Sequence, residues 1–391
     1  MKVHRKSTRA LGSAALWAGL VLAACVPQPE IATAGVAAPA KAQAAAKATQ
    51  SAPARSLPAR AAERRTPPPA PTYVSPATIA AQRILDARLQ SIGREFNGDV
   101  GIAVQDIQTG WSAHFDGSSH FPQQSVSKFW VALTAFDKVD RGELDLDAEV
   151  TVRRSDMTLF HQPIAQLIKG DGYDTTLSGL MHRALQQSDN TANDFVLRRA
   201  GGPEAVRAFF ERKGIDGIRF GPGERLMQSQ IAGMSWRPEY SQGRAFYQAR
   251  SSVPQDTRRA AWDRYVSDPV DGATPLGVVD ALARLKKGEL LSPASTSRLL
   301  SIMSNTRTGP QRLKGGLSAG YTLAHKTGTG QVLGGAQSGY NDIGIVTAPD
   351  GKSYAVAVLI RQTSAPIPAR MAMMQSVTRA VIDYDRNLDA S

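Results

Sequence analysis

The sequence predicts an α/β (α+β) fold: an antiparallel sheet flanked by the terminal helices, plus an all-helical lobe over about 120–305. Three observations carry this. Val100, Ile102 and Val104 alternate along the chain, as the buried face of a strand does. From 120 to about 305 the apolar spacing is mostly helical. Near the C-terminus NDIGIVT and SYAVAVLI flank the turn sequence APDGK (348–352), which reads as a hairpin. The two ends then build one layer, the middle builds a second lobe, and the seam between them is where a cleft is expected.

In chain order, residues 1–25 come first. Lys2, Arg5, Lys6 and Arg9 precede the apolar run Ala10–Ala24, which is too short to span a bilayer and fits an export signal. Residues 26–76 are rich in Ala and Pro with scattered Arg. They hold too few large apolar groups to offset ordering entropy and read as a semi-extended linker. The folded domain is expected over 77–391. Residues 77–93 suit a helix with Ile79, Ile84, Leu85, Leu89 and Ile92 on one side. DIQTGW (106–111) reads as a turn into a second strand. In LSGLMHRALQQ (177–187) Leu177, Leu180, Met181, Ala184 and Leu185 make one apolar stripe. TPLGVVDALARLKKGELL (274–291) opens with a Thr N-cap and Pro at the first helical position. A last helix is expected over about 366–384.

The net charge of +12 invites a nucleic-acid reading. Its distribution argues against one: residues 1–77 carry ten Lys/Arg and two Glu, leaving only +4 on the rest. A basic tail favours anionic surfaces such as a membrane or cell wall, and no nucleic-acid module is present. The six His (4, 114, 120, 161, 182 and 325) show no metal-ligand spacing, and one Cys allows neither a thiolate cluster nor an internal disulfide. Neither a metal nor another cofactor is expected.

Three short motifs carry chemistry. Ser125-Val126-Ser127-Lys128 is an S-x-x-K, which places a hydroxyl and an amine one helical turn apart. A serine becomes a nucleophile when a neighbour takes its proton. Alone this motif is weak, since a chain of this length holds roughly one or two by chance, and a capping serine with a solvated lysine is the bland reading. Ser188-Asp189-Asn190 is more specific, although three turn-formers can simply stop a helix. His325-Lys326-Thr327-Gly328-Thr329-Gly330 follows the strand pattern YTLAH and lacks the order of a phosphate-binding loop.

Taken in the order S-x-x-K, S-D-N, K-T-G, the chain resembles the penicillin-recognising acyl-serine hydrolases, and specifically the class A serine β-lactamases, over about 95–385. The flanking SDNTAND (188–194) and TGPQRLKGGL (308–317) agree. The resemblance implies the β-lactamase/transpeptidase-like fold, hydrolysis of a small-molecule β-lactam, and a monomer. It also implies roles. Ser125 opens the ring and Lys128 helps remove its proton. Ser188 relays a proton to the leaving nitrogen. Asn190 binds the substrate's amide side chain. Lys326 supplies positive charge. Thr327, Gly328 and Thr329 meet the substrate, the two threonines bonding its carboxylate. The amides of Ser125 and Thr329 form the oxyanion hole. Arg312 stands where some members bind the carboxylate; the alternative is a surface arginine. The LAAC sequence ending at Cys25 resembles a lipoprotein signal, which implies a lipidated Cys25 and a periplasmic, membrane-anchored enzyme; the alternative is cleavage after ATA (32–34).

Deacylation needs a base. The family's glutamate is expected 36 residues past Ser188, at Glu224, in PGERLMQ. Gln228 then takes the place of an asparagine that helps hold the water, and Leu226 that of a second glutamate. Residues 229–273 read as an insertion of roughly 30 residues, either a lid or a small packed subdomain. Glu239 is the rival base. Without a working base the reading would pass to a D,D-peptidase, another acyl-serine hydrolase or a β-lactam sensor.

Overall fold

The computed structural model describes residues 74–389. Cys25, the expected export signal and the linker up to residue 73 lie outside the described residues. The first helix, Pro76–Glu95, starts one residue before the expected boundary, capped by the Ser75 side chain, which accepts from the Thr78 amide.

One sheet organises the chain. Its strand order is Ser112–Phe115, Asp99–Asp106, Ser353–Thr363, Tyr340–Thr347, Thr322–Thr329. Every pairing along this path is antiparallel. A short hairpin, Val332–Leu333 with Ala336–Ser338, joins the edge of Ser353–Thr363. The expected turn at 348–352 is present, with Gly351 at φ 94° and the Ala348 amide donating to Lys352 O.

The period of two sorts the side chains. Val100, Ile102, Val104, Val356, Val358 and Ile360 face the terminal helices, Pro76–Glu95 and Ile367–Asp389, where they meet Leu85, Leu89, Met374, Val377 and Val381. Ala103, Ala355, Ala357 and Leu359 face the other way, into the core shared with Val278, Leu282 and the helical lobe. Two positions of the first helix depart from expectation. Ile79 and Ile84 are 38 % and 57 % exposed, and the buried stripe is Ala81, Leu85, Leu89 and Ile92. A helix turns about 100° per residue, so Ile84 is rotated away from the stripe that contains Leu85.

The middle of the chain is mainly helical, from Lys128–Asp140 to Pro293–Ser304. It also holds two short antiparallel pairs, Phe121–Pro122 with Gly272–Ala273 and Glu149–Val152 with Tyr173–Thr176. The first ties the segment just before Ser125 to the end of the 229–273 stretch.

That stretch folds as the helices Ala245–Ser252 and Gln255–Ser267 after a short turn. Its apolar side chains dock in two places. Trp262 and Tyr265 pack on Met227 and Ile231; Ala232 and Phe246 pack on Leu159 and Phe160. It is therefore a packed layer rather than a loose flap, and it also contributes Tyr247 and Arg250 to a cleft wall.

Candidate active site

Ser125, the candidate nucleophile, sits in a short turn with a constrained backbone. Residues Gln124–Ser127 form a single 3-10 turn ahead of the helix Lys128–Asp140. Gln124 sits at φ 54°, a left-handed conformation that L-residues adopt only when neighbours hold them there. The holder is Asp271, whose Oδ2 accepts the Gln124 amide at 2.8 Å. Lys128, fully buried, donates from Nζ to Ser125 Oγ at 2.8 Å and also to Glu224 Oε1.

Ser188 is likewise left-handed, at φ 58°, between the helices Leu177–Gln186 and Asn190–Arg199. Asp189 fixes this corner by accepting the Ala192 and Ile164 amides at 2.9 and 2.7 Å. Burial nevertheless pushes its carboxyl pKa up. Lys326 Nζ donates to Ser188 Oγ at 3.0 Å and to Thr327 O at 2.8 Å. Burial, then the charges of Lys128 and Arg312, push the Lys326 pKa well below its ordinary value. The Asn190 side chain donates to Leu159 O at 2.8 Å, while its Oδ1 is buried without a partner. A buried acceptor left open in a cleft wall is a place for a ligand N–H.

The strand Thr322–Thr329 brings the third motif beside the nucleophile turn. A Cβ on Gly328 would lie 2.3 Å from Gln123 O, so only glycine permits this approach. Thr327 Oγ1 is 2.6 Å from Thr308 Oγ1, and Arg312 donates to Thr329 Oγ1 at 2.6 Å. Arg312 is 7 % exposed, so the surface-arginine alternative does not hold. Its other nitrogen bonds Gly328 O and Asn341 O at 2.8 and 2.7 Å, and the guanidinium lies over the Tyr340 ring.

Glu224 opens the helix Glu224–Ile231, directly after Gly223 at φ 95°. Its amide donates to Asp194 Oδ1 at 3.2 Å. Burial, then the Glu224 charge, push Asp194 up to about 6. One turn along, Gln228 Nε2 reaches Glu224 Oε2 at 3.2 Å and Gln124 Oε1 at 2.9 Å. Gln331 Nε2 closes the row on Gln228 Oε1 at 3.0 Å. Glu239 instead borders a separate pocket with Arg154, Arg225 and Trp236, away from Ser125.

These groups share one cleft of about 450 Å³, whose walls include Ser125, Ser188, Asn190, Glu224, Gln228, Arg312, Thr327 and Thr329. Lys128 and Lys326 sit directly behind it through their bonds to Ser125 and Ser188. Sequence reasoning missed Gln124, Asp271, Tyr265, Gln331, Thr308 and Asp194. Asp194 and Thr308 lie in the flanking SDNTAND and TGPQRLKGGL stretches, but the resemblance gives them no role there; the others belong to no spaced motif, and the partners are mostly far along the chain. The left-handed Gln124 carried no glycine or asparagine to announce it. Among the described residues no cluster of His, Cys, Asp and Glu is arranged to hold a metal ion.

Comparison with known proteins agrees with this geometry. The family described as "Beta-lactamase enzyme family" matches residues 84–384. The chain is 27 % identical over 309 residues to the extended-spectrum β-lactamase PER-1 of Pseudomonas aeruginosa, covering 79 % of this chain and 89 % of the relative. It is 28 % identical over 313 residues to a β-lactamase of Bacteroides uniformis, covering 79 % and 94 %. Among solved structures, the TLA-3 extended-spectrum β-lactamase superposes with a TM-score of 0.64 at 27 % identity, covering 78 % of this chain and 98 % of that one. A class A β-lactamase from Bacteroides cellulosilyticus gives 0.64 at 25 %, covering 80 % and 99 %. With the motifs, the sheet and the cleft all in place, the chain belongs to the β-lactamase enzyme family, and within it to the class A serine β-lactamases.

Proposed function

We propose that the enzyme hydrolyses β-lactams by a double displacement on Ser125, with Glu224 as the base that releases the acyl group. The observation that carries the reading is the Lys128 ammonium, which touches Ser125 Oγ and Glu224 Oε1 at once. In acylation Ser125 Oγ gives up its proton into the Lys128–Glu224 pair and bonds to the lactam carbonyl carbon. The amides of Ser125 and Thr329 hold the resulting oxyanion, a kind of donor worth about 3–4 kcal/mol each. The C–N bond breaks, and Ser188, polarised by Lys326, passes its proton to the nitrogen and is reprotonated by the proton that the Lys128–Glu224 pair had accepted, which leaves Glu224 a carboxylate again. The substrate carboxylate rests on Thr327, Thr329 and Arg312, with Gly328 allowing close approach. Its amide side chain bonds the open Oδ1 of Asn190.

In deacylation Glu224 takes a proton from water, the water oxygen attacks the ester carbon, and the C–Oγ bond breaks as that proton passes through Lys128 to Ser125 Oγ, restoring the free enzyme. Gln228 orients the carboxylate through Oε2. The reaction uses no metal or cofactor. The basic, apolar N-terminal stretch supports export to the periplasm, with Cys25 lipidated to hold the enzyme at a membrane. The extended-spectrum names of PER-1 and TLA-3 support an extended range of β-lactam substrates.

The test is a chromogenic cephalosporin, followed both as turnover and as protein mass. Sustained turnover with a transient adduct on Ser125 is expected. A stable Ser125 adduct without turnover would sink the hydrolase reading and favour a sensor or peptidase.

A further inference from the structure

Residues 229–273 add one charged group to the cleft whose role the mechanism does not use. Arg250 lies on the helix Ala245–Ser252 and lines the same cleft as Ser125 and Asn190. Its guanidinium is tethered by one nitrogen, which donates to Val332 O at 2.8 Å. That carbonyl lies three residues past Thr329, so the tether holds the cation beside the substrate-binding strand.

Its place relative to the proposed substrate pose follows from contacts. Asn190 bonds Leu159 O through its side chain and His161 O through its amide. Phe160 lies between those two residues and packs on Tyr247, with ring centroids 6.1 Å apart. Tyr247 and Arg250 are three apart on one helix and so share a face. The wall that carries Asn190 therefore continues through Phe160 and Tyr247 to Arg250. Thr308 and Arg312 form a separate group on Thr327 and Thr329, at the end of the strand Thr322–Thr329 that leads to Val332.

The electrostatics leave Arg250 open for an anion. Among the described residues no carboxylate is paired with it; its neighbours include Arg258, a second cation, and the Tyr247 phenol. Burial, then Arg258, push its pKa down from the ordinary value. Arg258 Nε is itself buried without a partner. Glu224, the one acidic side chain in the cleft lining, is engaged by Lys128.

We propose that Arg250 is a specificity-determining residue that recognises β-lactams whose acyl side chain carries a carboxylate. This rests on the β-lactamase reading above. The enzyme would hold two substrate anions at two places, the ring carboxylate at Thr327, Thr329 and Arg312 and the side-chain carboxylate at Arg250. The half-buried guanidinium offers a charge-assisted hydrogen bond, which is stronger than a neutral one.

The test compares α-carboxybenzylpenicillin with benzylpenicillin, which differ by that carboxylate. The readout is the ratio of their second-order rate constants for acylating Ser125, measured by mass. Arg250→Gln keeps a donor for Val332 O but removes the charge; Arg250→Lys keeps the charge. The ratio is expected to fall about ten-fold in Arg250→Gln, the size of one hydrogen bond to a charged group. Arg250→Lys should retain part of it, and added salt should lower the wild-type ratio. An unchanged ratio in Arg250→Gln, with both rates falling together or neither, overturns the inference alone and leaves Arg250 as a tether for Val332. The absence of both a Ser125 adduct and turnover with each penicillin overturns the β-lactamase reading itself, and this inference with it.

Discussion

Lys128 and Glu224, 96 residues apart, form a buried ion pair whose ammonium also bonds Ser125 Oγ. The proposed nucleophile and the proposed base are thus joined through one nitrogen. The helix that starts at Lys128 and the helix that starts at Glu224 each present their first residue to the other.

Glu224→Gln keeps the volume and removes the proposed base. Deacylation should slow by about 100- to 10,000-fold, the usual contribution of a general base. Acylation should slow less, because Lys128 remains against Ser125. The check is accumulation of the Ser125 adduct on mixing with a penicillin. Normal turnover in this variant would place the base elsewhere.

Gln228→Leu removes the donor to Glu224 Oε2 and cuts the link between Gln124 and Gln331. A hydrogen bond to a charged group is worth about 1.5–3 kcal/mol, so kcat should drop about 10- to 100-fold. Pre-steady-state kinetics should show a larger burst of acylation ahead of slower turnover. A fall in KM affinity with unchanged kcat would mean that Gln228 binds substrate and does not orient the base.

Gly328→Ala forces a Cβ to within 2.3 Å of Gln123 O and 3.2 Å of the Val126 amide. Neither neighbour is a flexible side chain, so the strand must move off the nucleophile turn. Overpacking of this kind costs about 1–3 kcal/mol. Urea unfolding should show the lost stability, and acylation should slow because Thr329 shifts with the strand. Wild-type stability and rate would show that the approach is not needed.

Asp271 links stability to pH. Burial raises its pKa from 3.8 to about 6, and its Oδ1 is buried without a partner. The folded state holds this proton more tightly than the unfolded chain. Its contribution is therefore full below about pH 4 and is lost as pH rises through about 6. The loss is at most about 3 kcal/mol. Asp271→Asn keeps an acceptor for the Gln124 amide and has nothing to ionise. Relative to wild type it should gain stability between about pH 4 and about pH 7, measured by urea unfolding. A constant difference across that range would remove Asp271 as the source. Asp194, also raised to about 6, continues to titrate in both proteins.

The sequence by itself determined the fold class, the three motifs and the position of Glu224. Alternation in 100–104 and 353–360 marks sheet faces, and S-x-x-K, S-D-N and K-T-G are short enough to be read locally. The tertiary structure decided everything that depends on which distant side chains meet. It turned Ile79 and Ile84 outward, because a helix buries one stripe and Ala81 completes it. It buried Arg312 over Tyr340 and joined Asp271, Tyr265, Gln124, Gln228 and Gln331 into one hydrogen-bonded row. It also folded 229–273 onto two apolar clusters and set Arg250 at the cleft. Periodicity encodes which face of an element is apolar. It does not encode the partner, because partners are chosen by packing between elements many residues apart.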